Sequence, residues 1–182
     1  MEFIETDLKG LYLIKPVVYK DDRGFFLESY SKREFEQNGI KCTFIQDNHS
    51  LSVTPGVLRG LHFQKPPHAQ SKLLRVIQGA ILDVVVDLRK SSGTFGQWRS
   101  FELTASNFNM IFVPAGFAHG FCTLVPNTEV QYKVDAFYAP QSDSGIRWND
   151  TTLSINWPVK EPILSAKDEK LPLFKDFETL FE

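Results

Sequence analysis

The stretch GVLRGLHFQ, residues 56–64, carries an arginine and a histidine where a core strand is ordinarily apolar. His62 has the chemistry of a general base, because a neutral imidazole accepts a proton near pH 7 when a carboxylate fixes its tautomer. A metal-free site also needs an acid on the other side and a fixed cation for a developing oxyanion. Tyr132 in EVQYKVDAFY and Lys72 in QSKLLRV supply those types. Each also has an ordinary reading, the histidine as a satisfied structural residue, the tyrosine as core and the lysine as solvated. Tyr138, six residues after Tyr132, falls on the same strand face if pairing is regular, and serves as core or as a stacking platform for a planar ligand.

A metal site is the competing chemistry. The motif PAGFAH, residues 114–119, fits the PxGxxH of the second cupin motif. The first cupin motif, however, is built on His-x-His plus Glu, whereas here Gln64 follows His62 and no Glu appears in the next dozen residues. An amide oxygen is a poor ligand for zinc or iron beside imidazole or thiolate, so no protein-bound metal is expected from His62, His68 and His119. Three arginines, Arg23 in DDRGFF, Arg59 and Arg75 in LLRVIQG, are embedded among apolar residues and need partners. Either Asp21, Asp47, Asp83 and Asp87 pair with them internally, or their planar forks grip a phosphate. No Gly-rich phosphate loop and no GxGxxG is present.

The elements that must hold these groups are strands. LYLIKPVVY, FFLESY, TFIQDNHSLSV, GVLRGLHFQ, KLLRVIQG, AILDVVVDL, WRSFELT, NMIFVPAG, AHGFCTLV and EVQYKVDAFY are separated by turn signals such as DDRG, TPG, SSGTFG and VPNT. That rhythm predicts a sandwich or barrel rather than βαβ units. One helix is expected over residues 32–38, with Ser31 and Glu34 as a capping box and Gly39 just past its end. After Trp157–Pro158 the chain reads as loop and short helix.

A composition of 42% hydrophobic and 23% charged residues, with net charge −2, suits a single globular domain spanning 1–182. It gives no general attraction to nucleic acid or to an anionic membrane. No stretch approaches the roughly 18 to 20 apolar residues of a membrane span. MEFIETDLKG does not read as a secretory signal. Cys42 and Cys122 lack metal-ligand or CxxC spacing and read as reduced core residues, which fits a cytoplasmic protein.

Taken in order, DDRGFFLESY, FIQDNHSLS, GVLRGLHFQ, QSKLLRVIQGAILDVVVDLR, SSGTFGQW, VPAGFAHGF, YKVDAFYAP, SGIRWND, INWP and LSAKD resemble the dTDP-4-dehydrorhamnose 3,5-epimerase family over nearly the whole chain. The resemblance implies an all-β, cupin-type jelly-roll β-sandwich, with its core at about 40–140, and a homodimer. It implies no cofactor and no metal. The implied reaction converts dTDP-4-dehydro-6-deoxy-D-glucose to dTDP-4-dehydro-L-rhamnose. By matching motifs, His62 is the base, Asp168 the carboxylate that orients it, Lys72 the residue near the C4 oxygen, and Tyr132 the acid opposite. Tyr138 matches the ring that stacks on thymine. Arg23, Glu28, Gln46, Asn48, Arg59, His119 and Lys167 match nucleotide or sugar contacts, some of them reaching in from the partner subunit. Asp143 departs from the pattern, since the family commonly has Glu there, and NDT stands where NDP or DDP is common.

Overall fold

The computed structural model describes all 182 residues. Thirteen strands form two main antiparallel sheets and a hairpin. The six-stranded sheet runs β1 (Glu2–Glu5), β2 (Tyr12–Lys15), β10 (Met110–Val113), β7 (Lys72–Gln78), β12 (Thr128–Val134) and β5 (Gln46–Ser52). The five-stranded sheet runs β13 (Asp143–Gly145), β6 (Leu58–Gln64), β11 (Phe117–Thr123), β8 (Ala80–Asp87) and β9 (Trp98–Thr104). Strands β3 (Val18–Asp21) and β4 (Gly24–Leu27) pair only with each other. The six-stranded sheet thus takes in β1 and β2, which lie ahead of the span expected for the core.

Alternation explains how the sheets face one another. Leu74 and Val76 of β7, Ile111 and Val113 of β10, and Val130 of β12 pack against Ile81 and Val85 of β8, Leu103 of β9, and Phe117 and Phe121 of β11. The opposite faces are covered separately. Helix α1 (Lys32–Gln37) sets Phe35 against Ile14, Leu73, Met110 and Phe112, while Phe181 from the C-terminal tail packs with Leu61, Phe63, Val84 and Val86.

The helix falls where expected, but its cap does not form. Ser31 occupies the N-cap position without a capping side-chain bond, and the Glu34 carboxylate accepts instead from the N-terminal ammonium at 3.0 Å. Gly39 follows the helix with φ +84°, the left-handed conformation that glycine adopts freely. LYLIKPVVY divides into β2 and β3 around Pro16, whose ring cannot donate to a ladder.

Candidate active site

At one end of the sandwich the inward-facing positions change from apolar to polar. His62 on β6 lies directly across from His119 on β11, and Tyr132 on β12 lies across from Asn48 on β5 and Leu74 on β7. The result is a cavity of about 450 Å³ lined by Arg59, His62, Lys72, His119, Tyr132 and Asp168, with apolar walls from Leu58, Leu74, Phe121 and Ile163. A second cavity, of about 380 Å³, shares His62, Lys72 and Tyr132 and continues past Gln46, Asn48, Tyr138, Asp143 and Lys167.

Arg59 and His62 reach the same cavity because β6 is bulged. Against β11, His62 pairs with His119 and Arg59 with Phe121, so three steps on β6 match two on β11. The extra residue brings both side chains to one face. Gly60 makes this possible: its φ is +134°, and a Cβ there would lie 2.6 Å from the Gly120 Cα.

The His62 Nε2 hydrogen-bonds the Asp168 Oδ1 at 2.5 Å. Asp168 is buried, which pushes its carboxyl up, but the His62 hydrogen bond and charge outweigh burial and leave it below the ordinary carboxylate range. The Asp168 backbone N–H donates to the Ser165 hydroxyl at 3.1 Å. Burial brings the Lys72 ammonium down to about 8, against partial opposition from Asp83 and Asp143. Its Nζ lies 3.4 Å from the His62 carbonyl oxygen. Tyr132 is raised by burial, with Arg59 pulling the other way, and so holds its proton at neutral pH.

His119 is buried and bonds Asp83 through Nε2 at 2.7 Å. Asp83 is fully buried, and its second oxygen has no hydrogen-bond partner. The sequence offers Asp83 only as an arginine partner. Its signal was there, since Asp83 shares the inward face of AILDVVVD with Ile81 and Val85.

Of the embedded arginines, Arg23 alone takes one of the proposed aspartates, bonding Asp21 at 2.5 Å. Arg59 makes only 3.4 Å contacts to the Leu51 carbonyl and the Ser52 hydroxyl, and the Arg75 Nε is buried without a partner. Asp47 pairs with Lys133 and Asp87 with Arg89. Gln64 is spent on structure: its amide donates to the His68 and Phe137 carbonyls and accepts from the Ala139 N–H.

Tyr138 corrects one expectation. Strand β12 ends at Val134, so Tyr138 lies in the loop beyond it rather than on the same strand as Tyr132. The loop nonetheless brings it to the second cavity, where its hydroxyl donates to the Asp143 Oδ2 at 2.9 Å. The same oxygen accepts from the Lys167 ammonium at 2.5 Å, so the shorter carboxylate at 143 is tied to two other site residues. Arg23 and Glu28 are not brought in. Both are exposed on or just after the β3–β4 hairpin, whose Tyr19, Phe25 and Phe26 line a separate surface groove with Arg23.

The sequence profile of the dTDP-4-dehydrorhamnose 3,5-epimerase family matches residues 5–176. A protein of that name from Shigella flexneri is 48% identical over 169 residues, covering 92% of this chain and 93% of the relative. The crystal structure of a dTDP-4-dehydrorhamnose 3,5-epimerase from Bacillus anthracis, with TDP and PPi bound, superposes with a TM-score of 0.93 at 56% identity, covering 94% of this chain and 98% of the other. A dTDP-6-deoxy-D-glucose-3,5-epimerase from Legionella pneumophila, in complex with dTDP-4-keto-L-rhamnose, gives a TM-score of 0.93 at 40% identity, covering 97% and 94%.

Proposed function

The chain belongs to the dTDP-4-dehydrorhamnose 3,5-epimerase family, and from that premise we propose that it converts dTDP-4-dehydro-6-deoxy-D-glucose to dTDP-4-dehydro-L-rhamnose in dTDP-L-rhamnose biosynthesis. C3 and C5 both flank the C4 ketone, which acidifies their C–H bonds and makes a cofactor unnecessary. His62, oriented by Asp168, takes the C5 proton. The C–H electrons move into a C4–C5 double bond, and the carbonyl electrons settle on the C4 oxygen as an enolate. The Lys72 ammonium holds that oxygen. Tyr132 delivers a proton to the opposite face of C5, the enolate reverts to ketone, and C5 is inverted. His62 then releases its proton to solvent and Tyr132 regains one, the same base takes the C3 proton, and a proton returned to the opposite face of C3 completes the second inversion.

The observation that carries this reading is the 2.5 Å hydrogen bond between His62 and Asp168 in a cavity whose walls also present Lys72 and Tyr132. The second cavity suits the nucleotide, with Tyr138 stacking on the base and Gln46, Asn48, Asp143 and Lys167 around it. Arg59 and His119 serve the diphosphate and sugar. The remote hairpin fits a homodimer in which Arg23 and Glu28 complete the neighbouring subunit's site. Two free thiols, Cys42 and Cys122, fit a cytoplasmic setting.

The test is incubation with the dTDP-4-ketosugar in D₂O, followed by NMR. Deuterium enters at both C3 and C5 of an L-configured product. His62→Asn abolishes both inversion and exchange, a loss of about 10²- to 10⁴-fold or more for a general base. Tyr132→Phe still admits deuterium while inversion at C5 fails. Exchange that survives His62→Asn removes the histidine from its role, and label at one carbon only makes the protein a monofunctional epimerase.

A further inference from the structure

Asp168 does not belong to either sheet. It opens a single 3-10 turn, Asp168–Lys170, and the nearest strand-like pairing before it is the Ile163–Val57 bridge, five residues upstream. Something else must hold its carboxylate within bonding distance of His62.

Ile163 and Ser165 tie the chain ahead of it, and the chain that follows supplies a second anchor. Leu171 is buried, and its two methyls share with the Leu61 carbonyl oxygen the space that a side chain at Gly145 would need: a Cβ there would lie 2.8 and 2.9 Å from the methyls. Gly145 is the strand neighbour directly across from His62, so the seat of Leu171 lies beside the base itself. Arg147 holds the next two carbonyls, its Nε donating to the Leu171 oxygen at 3.0 Å and its backbone N–H to the Pro172 oxygen at 2.8 Å. Asp150, buried, takes the Phe174 N–H on Oδ2 at 2.8 Å, while Oδ1 accepts from Thr152 and Leu153. Farther on, Phe177 and Phe181 meet the ring of Phe63, the residue after His62, edge-on at 5.2 and 5.9 Å.

We propose that Gly145, Arg147 and Asp150 are positioning residues for the epimerase reaction, forming with Leu171 a clasp that sets Asp168 against His62. The proposal rests on the epimerase reading above. Neither Asp150 nor Leu171 lines either cavity, so neither touches the reacting groups itself. Misplacing a catalytic group by about 1 Å costs on the order of 10²-fold in rate, which gives the clasp its leverage.

The experiment is Asp150→Asn in the full chain, measured in single turnovers of the dTDP-4-ketosugar. Asparagine keeps an oxygen for Thr152 and Leu153 but turns an N–H toward the N–H of Phe174, breaking that one tie. The turnover rate falls about 10- to 100-fold while KM stays within about twofold. In an Asp168→Asn background the same change costs nothing further, because the group it positions is already gone. Leu171→Ala, which empties the seat at Gly145, repeats the pattern. A second readout needs no substrate. The downfield N–H proton of the His62–Asp168 hydrogen bond, assigned by its loss in His62→Asn, weakens in both variants. Unchanged rate and unchanged proton signal in both, or an additive loss in the Asp168→Asn background, would overturn the clasp. Wild-type protein that leaves the sugar untouched overturns the epimerase reading instead, and the proton signal then decides the clasp alone.

Discussion

A partly desolvated ammonium near carboxylates is pulled two ways, and at Lys72, on the wall of both cavities, desolvation wins and brings its pKa down to about 8. Lys72 is a cation below that value and neutral above it, so the enolate stabilisation proposed for it is present at neutral pH and fades on the alkaline side. kcat/KM, which reports the free enzyme, therefore falls as pH rises through about 8. Tyr132 does not produce this limb, because burial raises its phenol above the ordinary value near 10. Lys72→Met lowers kcat by about 10²- to 10³-fold, the scale of losing one oxyanion partner, and its residual rate lacks the alkaline limb. A wild-type profile flat to pH 10 removes the ammonium from the chemistry. At this scale the local pattern is informative about residue type, while partnership is legible only for His62 and Asp168, and there only through the family resemblance. His62 and Lys72 were visible as an imidazole and a cation among apolar residues. That Asp83 serves His119 rather than an arginine depends on which strands become neighbours, and no local pattern encodes that.

Among the elements, β6 shows most plainly what periodicity can and cannot convey. GVLRGLHFQ reads correctly as a strand, and strict alternation then separates Arg59 from His62. The bulge at Gly60 overrules alternation, and only its glycine hints at it. The capping box failed for a related reason: a distant charge, the N-terminal ammonium, won the Glu34 carboxylate from the local pattern. Regular pairing would carry Tyr138 on the strand of Tyr132, but β12 ends four residues earlier, and an aromatic-rich run looks alike in strand and loop. The bulge itself is testable. At Gly60→Ala, the added methyl meets the Gly120 Cα at 2.6 Å in a left-handed backbone region that alanine avoids. Stability falls by about 1–3 kcal/mol, seen as a lower Tm by roughly 2–4 °C per kcal/mol. Activity falls with it, since Arg59 and His62 no longer share one wall. A Gly60→Ala protein with native Tm and rate rules out the bulge as the device that aligns them.

For the whole molecule, the unresolved business of a single chain is its β3–β4 hairpin. Tyr19, Phe25 and Phe26 are each at least 60% exposed there, an aromatic surface that a lone subunit does not bury. Arg23 stands at its tip, away from both cavities and bonded only to Asp21. If each hairpin serves its neighbour, the two halves of one active site come from different chains, and complementation follows by arithmetic. His62→Asn homodimers lack the base at both sites, and Arg23→Ala homodimers lack the anion contact at both. In the mixed dimer, one site carries both defects. The other has an intact His62 from one chain and an intact Arg23 from its partner. Mixing the two inactive proteins one to one, with time for subunits to exchange, makes half the dimers hybrid with one good site each. Activity returns to about a quarter of wild type. If each hairpin serves its own chain instead, every site in the mixture keeps one defect and activity stays at the level of the separate variants. The hairpin then belongs to some other contact.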